Sequence, residues 1–282
     1  MSALSKLYIC PTPIGNLEDI TLRTIRILKE VDVVAAEDTR RTIKLMNHLE
    51  IKKPLISLRE HNEDGKSESI ISMVKEGKTV ALVSDAGMPG ISDPGEILIR
   101  KAIEEEVEVI TLPGPSAFIV ALVNSGLSTS RFTFIGFLDR TSKNRVKELE
   151  DLKNKTETLI IYESPHRIKN TLKDIYKILG NRKIVLAREL TKIHEEYIRM
   201  DIKDMLENID SLNILGEMII ILEGAAKKEE DEQIKEEVLI KELYELMEEG
   251  LSTKDASKEI AKKYNLGKNQ VYSLALKSPR DI

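Results

Sequence analysis

The sequence predicts an α/β protein built from two α/β domains of similar size, with a ligand cleft between them and a small helical tail. Three observations carry this. Short apolar runs alternate with helical stretches through the first 111 residues, which implies strands joined by crossover helices and therefore a parallel sheet. After Leu112-Pro113-Gly114-Pro115 the pattern restarts with a more β-rich set. Behind a polar stretch beginning at Lys227, residues 251–280 form a helix, a break and a second helix. The expected domains are 1–113, 114–226 and 227–282. A ligand between the first two would touch strand ends from both.

The first strand is Leu7-Tyr8-Ile9-Cys10, which runs into Pro11-Thr12-Pro13-Ile14-Gly15-Asn16. Asp19 is the expected cap of the next helix, with Ile20, Leu22, Ile25, Ile27 and Leu28 as its apolar stripe. The loop lacks both the three-glycine dinucleotide spacing and a Gly-Lys-Ser/Thr ending, which argues against dehydrogenases and kinases. Residues 31–36, 79–83 and 107–111 read as buried strands between helices at 39–49, 67–75 and 95–105. Further strands are expected near 132–137, 158–162, 183–188, 197–200 and 217–222.

Residues 84–95 form the most distinctive loop, with three glycines, two prolines and two aspartates directly after an apolar strand. Gly87, Gly90 and Gly95 permit left-handed backbone or close approach to a ligand, and Pro89 and Pro94 stiffen the loop. Asp85 and Asp93 accept rather than donate, so the loop suits hydroxyls or positive charge better than phosphate.

At 282 residues, with 41% hydrophobic and 32% charged residues, the chain can bury sizeable cores. It has no apolar run of membrane-spanning length and no basic-then-apolar leader, so the expectation is a soluble cytoplasmic protein without membrane contact. The lone Cys10 sits in an apolar strand and reads as core. His48, His61, His166 and His194 show no ligand spacing, and no metal is expected. The net charge of −5 is unevenly spread: between residues 251 and 280, seven basic residues, Lys262, Lys263 and Lys268 among them, face only Asp255 and Glu259. The tail is therefore expected to hold RNA, with a dimerising or packing helix pair as the alternative.

Six motifs in order carry a resemblance over about residues 7–225. They are Pro11-Thr12-Pro13-Ile14-Gly15-Asn16-Leu17 with Asp19-Ile20-Thr21, then Glu37-Asp38-Thr39-Arg40, then the 85–95 loop, then Pro113-Gly114-Pro115-Ser116-Ala117, then Glu163-Ser164-Pro165-His166-Arg167, and finally Ala187-Arg188-Glu189-Leu190-Thr191-Lys192. Together they resemble the ribosomal RNA small subunit methyltransferase I family of the tetrapyrrole methylase superfamily. Met88 and Asp139 depart from it, standing where Thr and Pro are usual. The resemblance implies methyl transfer from S-adenosylmethionine to the ribose 2′-hydroxyl of cytidine 1402 of 16S rRNA. The partner implied is that RNA within the small ribosomal subunit. It further implies cofactor contacts at Ile14, Gly15, Asp85, Gly87, Met88, Ile91, Ser116, Ala117 and Tyr162.

A sugar hydroxyl needs help in losing its proton, which makes Glu189, Glu163, His166 and Lys192 catalytic candidates, with Glu37 and Asp38 beside them. Arg40, Arg167 and Arg188 are the expected phosphate holders alongside the tail lysines. Glu163 with Arg167, and Arg188 with Glu189, read equally well as salt bridges. Two other functions stay open: a small-molecule tetrapyrrole methylase, which needs no basic tail, and a non-enzymatic RNA-binding assembly factor. The general base and the oligomeric state, with a homodimer as one option, are not fixed by the sequence.

Overall fold

The computed structural model describes residues 6–212, 216–226, 230–264 and 266–275, with the backbone alone for 230–237 and Gln270. Lys277 and Arg280 of the expected basic tail, and Lys227 at the start of the polar stretch, lie outside the described residues. These divide into two compact units at Ala225/Ala226.

The first half of the larger unit is a sheet in the order β3-β2-β4-β1-β5, with every pairing parallel. Its strands are β1 (Lys6–Ile9), β2 (Val33–Ala36), β3 (Leu55–Ser57), β4 (Val80–Val83) and β5 (Glu108–Thr111). β2 and β4 are buried on both faces, as expected of central parallel strands that read as unbroken apolar runs. Helices α3 (Glu63–Lys75) and α4 (Glu96–Glu104) pack one face around Leu7, Ile9, Ile70, Leu82 and Leu98. Helices α1 (Leu22–Glu30) and α2 (Thr39–His48) cover the other around Ile27, Leu28, Val34 and Met46.

Two local expectations need correction. The cap of α1 is Thr21, whose hydroxyl accepts from Thr24 N–H at 3.0 Å, while Asp19 ends a separate 3-10 turn over Leu17–Asp19. Leu22 is correspondingly exposed rather than part of the stripe. The third helix begins at Glu63, not near residue 67. Glu63 is buried, and its Oε1 accepts from the backbone of Gly95, Ile97 and Leu98 at 2.9, 2.8 and 3.3 Å. That carboxylate satisfies the orphan amides opening α4 and pins the end of the Gly/Pro loop.

The second half is a mixed sheet in the order β6-β7-β10-β8-β9. It comprises β6 (Phe132–Phe137), β7 (Thr158–Glu163), β8 (Lys183–Arg188), β9 (Glu196–Asp201) and β10 (Met218–Leu222). Only β6 and β7 run parallel; β10 inserts antiparallel between β7 and β8. Helices α6 (Ser142–Leu152), α7 (Ile168–Leu179) and α8 (Ile202–Asn208) cover one face, and α5 (Ala117–Val123) packs on the other. Ile14 of the first half and Leu190 of the second pack into that same α5 layer, so the two halves share an apolar seam.

The smaller unit has three helices, α9 (Glu230–Glu248), α10 (Thr253–Lys263) and α11 (Lys268–Ala275), around Leu239, Leu243, Ile260, Val271 and Leu274. Ser252 caps α10 through Asp255 N–H. No described helix is long and apolar enough to cross a membrane.

Candidate functional site

Two loops meet at the carboxyl ends of β1 and β4. Thr12 and Gly87 exchange backbone hydrogen bonds at 2.9 and 3.0 Å, a short bridge that ties the Pro-Thr-Pro loop to the Gly/Pro loop. Gly87 sits at φ 81° to make it. Gly15 then lies against the turn after β8. A Cβ there would fall 2.6 Å from Leu190 O, 2.8 Å from Thr191 Oγ1 and 2.8 Å from Lys192 Cγ, so only glycine lets the halves approach this closely.

Two cavities open beside this junction. The larger, of about 720 Å³, is lined by Glu37, Arg40, Arg59, His61, Asp85, Asp93 and Phe137 among others. The smaller, of about 380 Å³, is lined by Ile14, Arg41, Phe137, Tyr162, Glu189, Leu190, Lys192, Glu217 and neighbours. Phe137 borders both, and its ring meets Tyr162 edge-on at 5.5 Å.

The chemistry of the junction is dominated by carboxylates. Asp93 is half-buried and its pKa is pushed up to about 7, by desolvation first and then by the charges of Glu37, Asp85 and Glu217. Glu37 is also raised, chiefly by burial. Glu37 Oε2 accepts from Asp85 N–H at 3.2 Å, and Asp85 accepts from Asp38 N–H at 3.1 Å and pairs with Arg41 at 3.3 Å. The Glu-Asp-Thr-Arg segment is thus stitched to the Gly/Pro loop. Burial raises Tyr162 to about 12, so its phenol stays protonated.

The cofactor positions expected from sequence fall into two groups. Ile14, Ala117 and Tyr162 share the α5 layer, and Ser116 begins α5 without spending its hydroxyl on a cap. Met88 and Ile91 instead line a separate apolar recess with Ile9, Ile99 and Thr111. Gly87 lies between the groups, near Ile14 and Pro115.

The catalytic and phosphate candidates are redistributed more sharply. Glu163 is fully buried and accepts from Ser164 N–H at 2.8 Å and Thr171 Oγ1 at 2.5 Å. It also pairs with Arg167 at 3.3 Å, while Arg167 donates to the carbonyls of Leu138 and Asp139. This pair is a structural clasp between β7 and the end of β6, which removes Glu163 as a proton acceptor and Arg167 as a phosphate holder. Arg188 is likewise held by Glu196 at 2.6 Å; Arg40 pairs with its neighbour Asp38 at 2.6 Å but stays exposed on the wall of the larger cavity. The Arg40 guanidinium holds the Asp38 carboxyl well below the usual carboxylate range. Glu189 and Lys192 pair with each other at 2.9 Å on the wall of the smaller cavity, and His166 is exposed on the turn before α7.

Sequence reasoning singled out Asp93 only as an acceptor in the Gly/Pro loop, without its raised pKa, and missed Arg41, Arg59 and Glu217 altogether. Arg41 could have been found: the N-cap Asp38 draws Arg40 back onto itself, leaving the next arginine of α2 to face the Gly/Pro loop.

In the smaller unit the expected basic face is partly neutralised. Lys263 pairs with Glu242 at 2.7 Å, and Tyr264 donates to the same carboxylate at 2.6 Å. Lys262 lines a recess with Glu242, Glu245, Glu249 and Glu259. Lys268, at the start of α11, is exposed. The acidic α9 supplies the opposing charge, which the count over residues 251–280 leaves out.

Residues 6–206 match the profile of the tetrapyrrole (corrin/porphyrin) methylases. The chain belongs to that family and is a methyltransferase. Proteins called ribosomal RNA small subunit methyltransferase I are similar to it over most of their length. That of Bacillus subtilis strain 168 is 45% identical over 274 residues, covering 96% of this chain and 94% of its own. That of Thermotoga maritima is 47% identical over 221 residues, 78% of this chain and 99% of its own.

Among solved structures, a cobalt precorrin-4 methyltransferase superposes with a TM-score of 0.60 at 19% identity, covering 79% of this chain and 96% of its own. Uroporphyrin-III C-methyltransferase from Thermus thermophilus, complexed with S-adenyl homocysteine, gives 0.58 at 16% identity, covering 77% and 97%. These two establish the fold.

Proposed function

We propose that this protein transfers a methyl group from S-adenosylmethionine to the ribose 2′-hydroxyl of a cytidine in small-subunit ribosomal RNA. The observation that carries the reading is identity above 40% along nearly the whole chain to proteins named for methylating that RNA. The junction fits the donor in chemistry. Glu37, Asp85, Asp93 and Glu217 give a negative field suited to a sulfonium cation, and Ile14, Ala117 and Tyr162 give an apolar bed beside it. S-adenosylmethionine, when bound, supplies a methyl group already activated as a sulfonium.

The protein's share is mainly positioning and proton removal. Asp93 accepts the hydroxyl proton, its pKa of about 7 matching the working pH of a general base. Arg41 on the wall of the smaller cavity, and Arg59 with the exposed Arg40 on the wall of the larger, steady the RNA backbone, whereas Arg167 and Arg188 line neither. Phe137 and Tyr162 exclude water between the cavities.

Donor binding is tested by thermal unfolding. S-adenosylmethionine at a hundredfold excess over Kd raises stability by about 2.7 kcal/mol, whereas ATP and NAD leave the melting curve unchanged. Ser116→Phe abolishes the shift with the fold intact. A flat response of the unaltered protein to millimolar donor would sink the reading.

The three-helix unit is proposed as an auxiliary RNA handle rather than part of the transferase. Ending the chain after Ala226 leaves donor affinity within about twofold and methyl transfer measurable. It also lowers the slope of log affinity for RNA against log salt by about 2, the share of a few exposed lysines such as Lys254, Lys258 and Lys268. An unchanged slope, with a lower melting temperature or a dissociated oligomer, would make the unit a packing element instead.

A further inference from the structure

Ile193 is 97% exposed, the most exposed of the large apolar side chains among the described residues. It stands at the tip of the turn joining β8 to β9, between Lys192 and His194. A floppy loop would carry such a residue without consequence, but this turn is fixed. Glu189 and Thr191 both adopt left-handed backbone, at φ 51° and 63°, and neither is glycine. For the β-branched Thr191 this conformation is rare and persists only when its surroundings impose it.

The restraints are on hand. Glu195 Oε2 accepts from Thr191 N–H at 2.6 Å, Lys192 N–H donates to Glu189 O at 3.1 Å, and Glu195 N–H donates to Lys192 O at 3.1 Å. The Glu189–Lys192 ion pair closes the base of the turn, and Gly15 packs under it without room for a Cβ. Glu189, Leu190 and Lys192 at that base line the smaller cavity. A rigid turn therefore holds a bare apolar tip beside the mouth of the cleft.

We propose that Ile193 is an RNA-contacting wedge, which packs against the base next to the target nucleotide and keeps the target out of its stack. The inference rests on the reading of the protein as an RNA ribose methyltransferase. Neither of the two cavities, of about 720 and 380 Å³, admits an RNA helix, so a stacked target has to leave its neighbours to reach the donor. Apolar side chains inserted at a base step are a general way to hold such a gap open. In this role Ile193 is a positioning residue and touches no reacting atom.

The test compares Ile193→Ala and Ile193→Leu with the unaltered protein on two substrates: small ribosomal subunits lacking the modification, and a short single-stranded oligoribonucleotide spanning the methylated site. Ile193→Ala should lower kcat/KM on subunits by at least tenfold, with activity on the oligonucleotide and the donor-induced melting shift within about twofold. Ile193→Leu should restore activity on subunits. With 2-aminopurine beside the target in a structured RNA fragment, the fluorescence rise on binding should disappear for Ile193→Ala alone.

Equal activity of Ile193→Ala and the unaltered protein on subunits would overturn the wedge and leave the methyltransferase reading standing. An altered sedimentation coefficient for Ile193→Ala would overturn it too, assigning the tip to contact between copies. Absence of transfer to either RNA by the unaltered protein would overturn the underlying reading and the wedge together.

Discussion

Asp93→Asn lowers kcat for methyl transfer by about 10²–10⁴-fold while leaving the donor-induced melting shift in place, because it removes a proton acceptor and little volume. The pH dependence gives a second signature. In the unaltered protein kcat/KM rises with pH up to about 7, where the Asp93 carboxyl loses its proton, and the asparagine variant loses that limb. Stability should move the other way. A carboxyl whose folded pKa is raised binds its proton more tightly in the folded state than in the unfolded one. Folding therefore weakens as pH climbs from about 4, the unfolded value, to about 7, and the cost is complete above that. Asp93→Asn should match the unaltered protein near pH 4 and be more stable at pH 8 by about 1–2 kcal/mol, discounted for a side chain that is only half-buried. Equal urea midpoints at both pH values, with activity retained, would remove Asp93 from the mechanism.

Gly15→Ala should destabilise the larger unit by about 1–3 kcal/mol and reduce transfer by at least tenfold, since its Cβ would meet the Leu190 carbonyl at 2.6 Å and has to push the 189–192 turn away. That turn is already strained, so it has no easy direction in which to yield. Gly65→Ala is the matched control. It lies in α3 with nothing within 4 Å of the added carbon, and should raise stability by about 0.4–1 kcal/mol with unchanged activity. Urea midpoints and initial rates of the two variants separate loss of a seam from any general intolerance of alanine. Similar behaviour of the two would mean that Gly15 marks no special approach of the halves.

Much of the fold is legible in the sequence because burial on both faces makes the central strands continuous apolar runs. Residues 33–36 and 80–83 need no partner to be recognised. β3 is missed because its three residues are all only partly buried and follow a proline, leaving no apolar run to detect. The antiparallel insertion of β10 between β7 and β8 is equally hidden, since strand order depends on crossovers that leave no local trace.

The loops of the site are legible for a different reason. Glycines and prolines mark backbone positions that have few substitutes, and the Thr12–Gly87 bridge and the Gly15 seam fall within such loops. Charged residues are less transparent. Glu163, Arg167 and Arg188 all carry the right chemistry for the reaction, yet each is held by a partner and lines neither cavity. Asp93 gains its character from Glu37, Asp85 and Glu217, which are distant in sequence. Motif reading supplies the chemical vocabulary of the site, while burial and pairing assign which carboxylate and which arginine use it.

The most direct measurement of the central claim is transfer of labelled methyl from S-adenosylmethionine to small ribosomal subunits by the purified protein, followed by alkaline hydrolysis of the RNA. Alkaline cleavage needs a free 2′-hydroxyl, so ribose methylation leaves the label in an alkali-resistant dinucleotide, and one such product containing cytidine is the result expected. Label recovered in a mononucleotide, as methylation of a base would give, or no incorporation by protein that binds the donor would contradict the account.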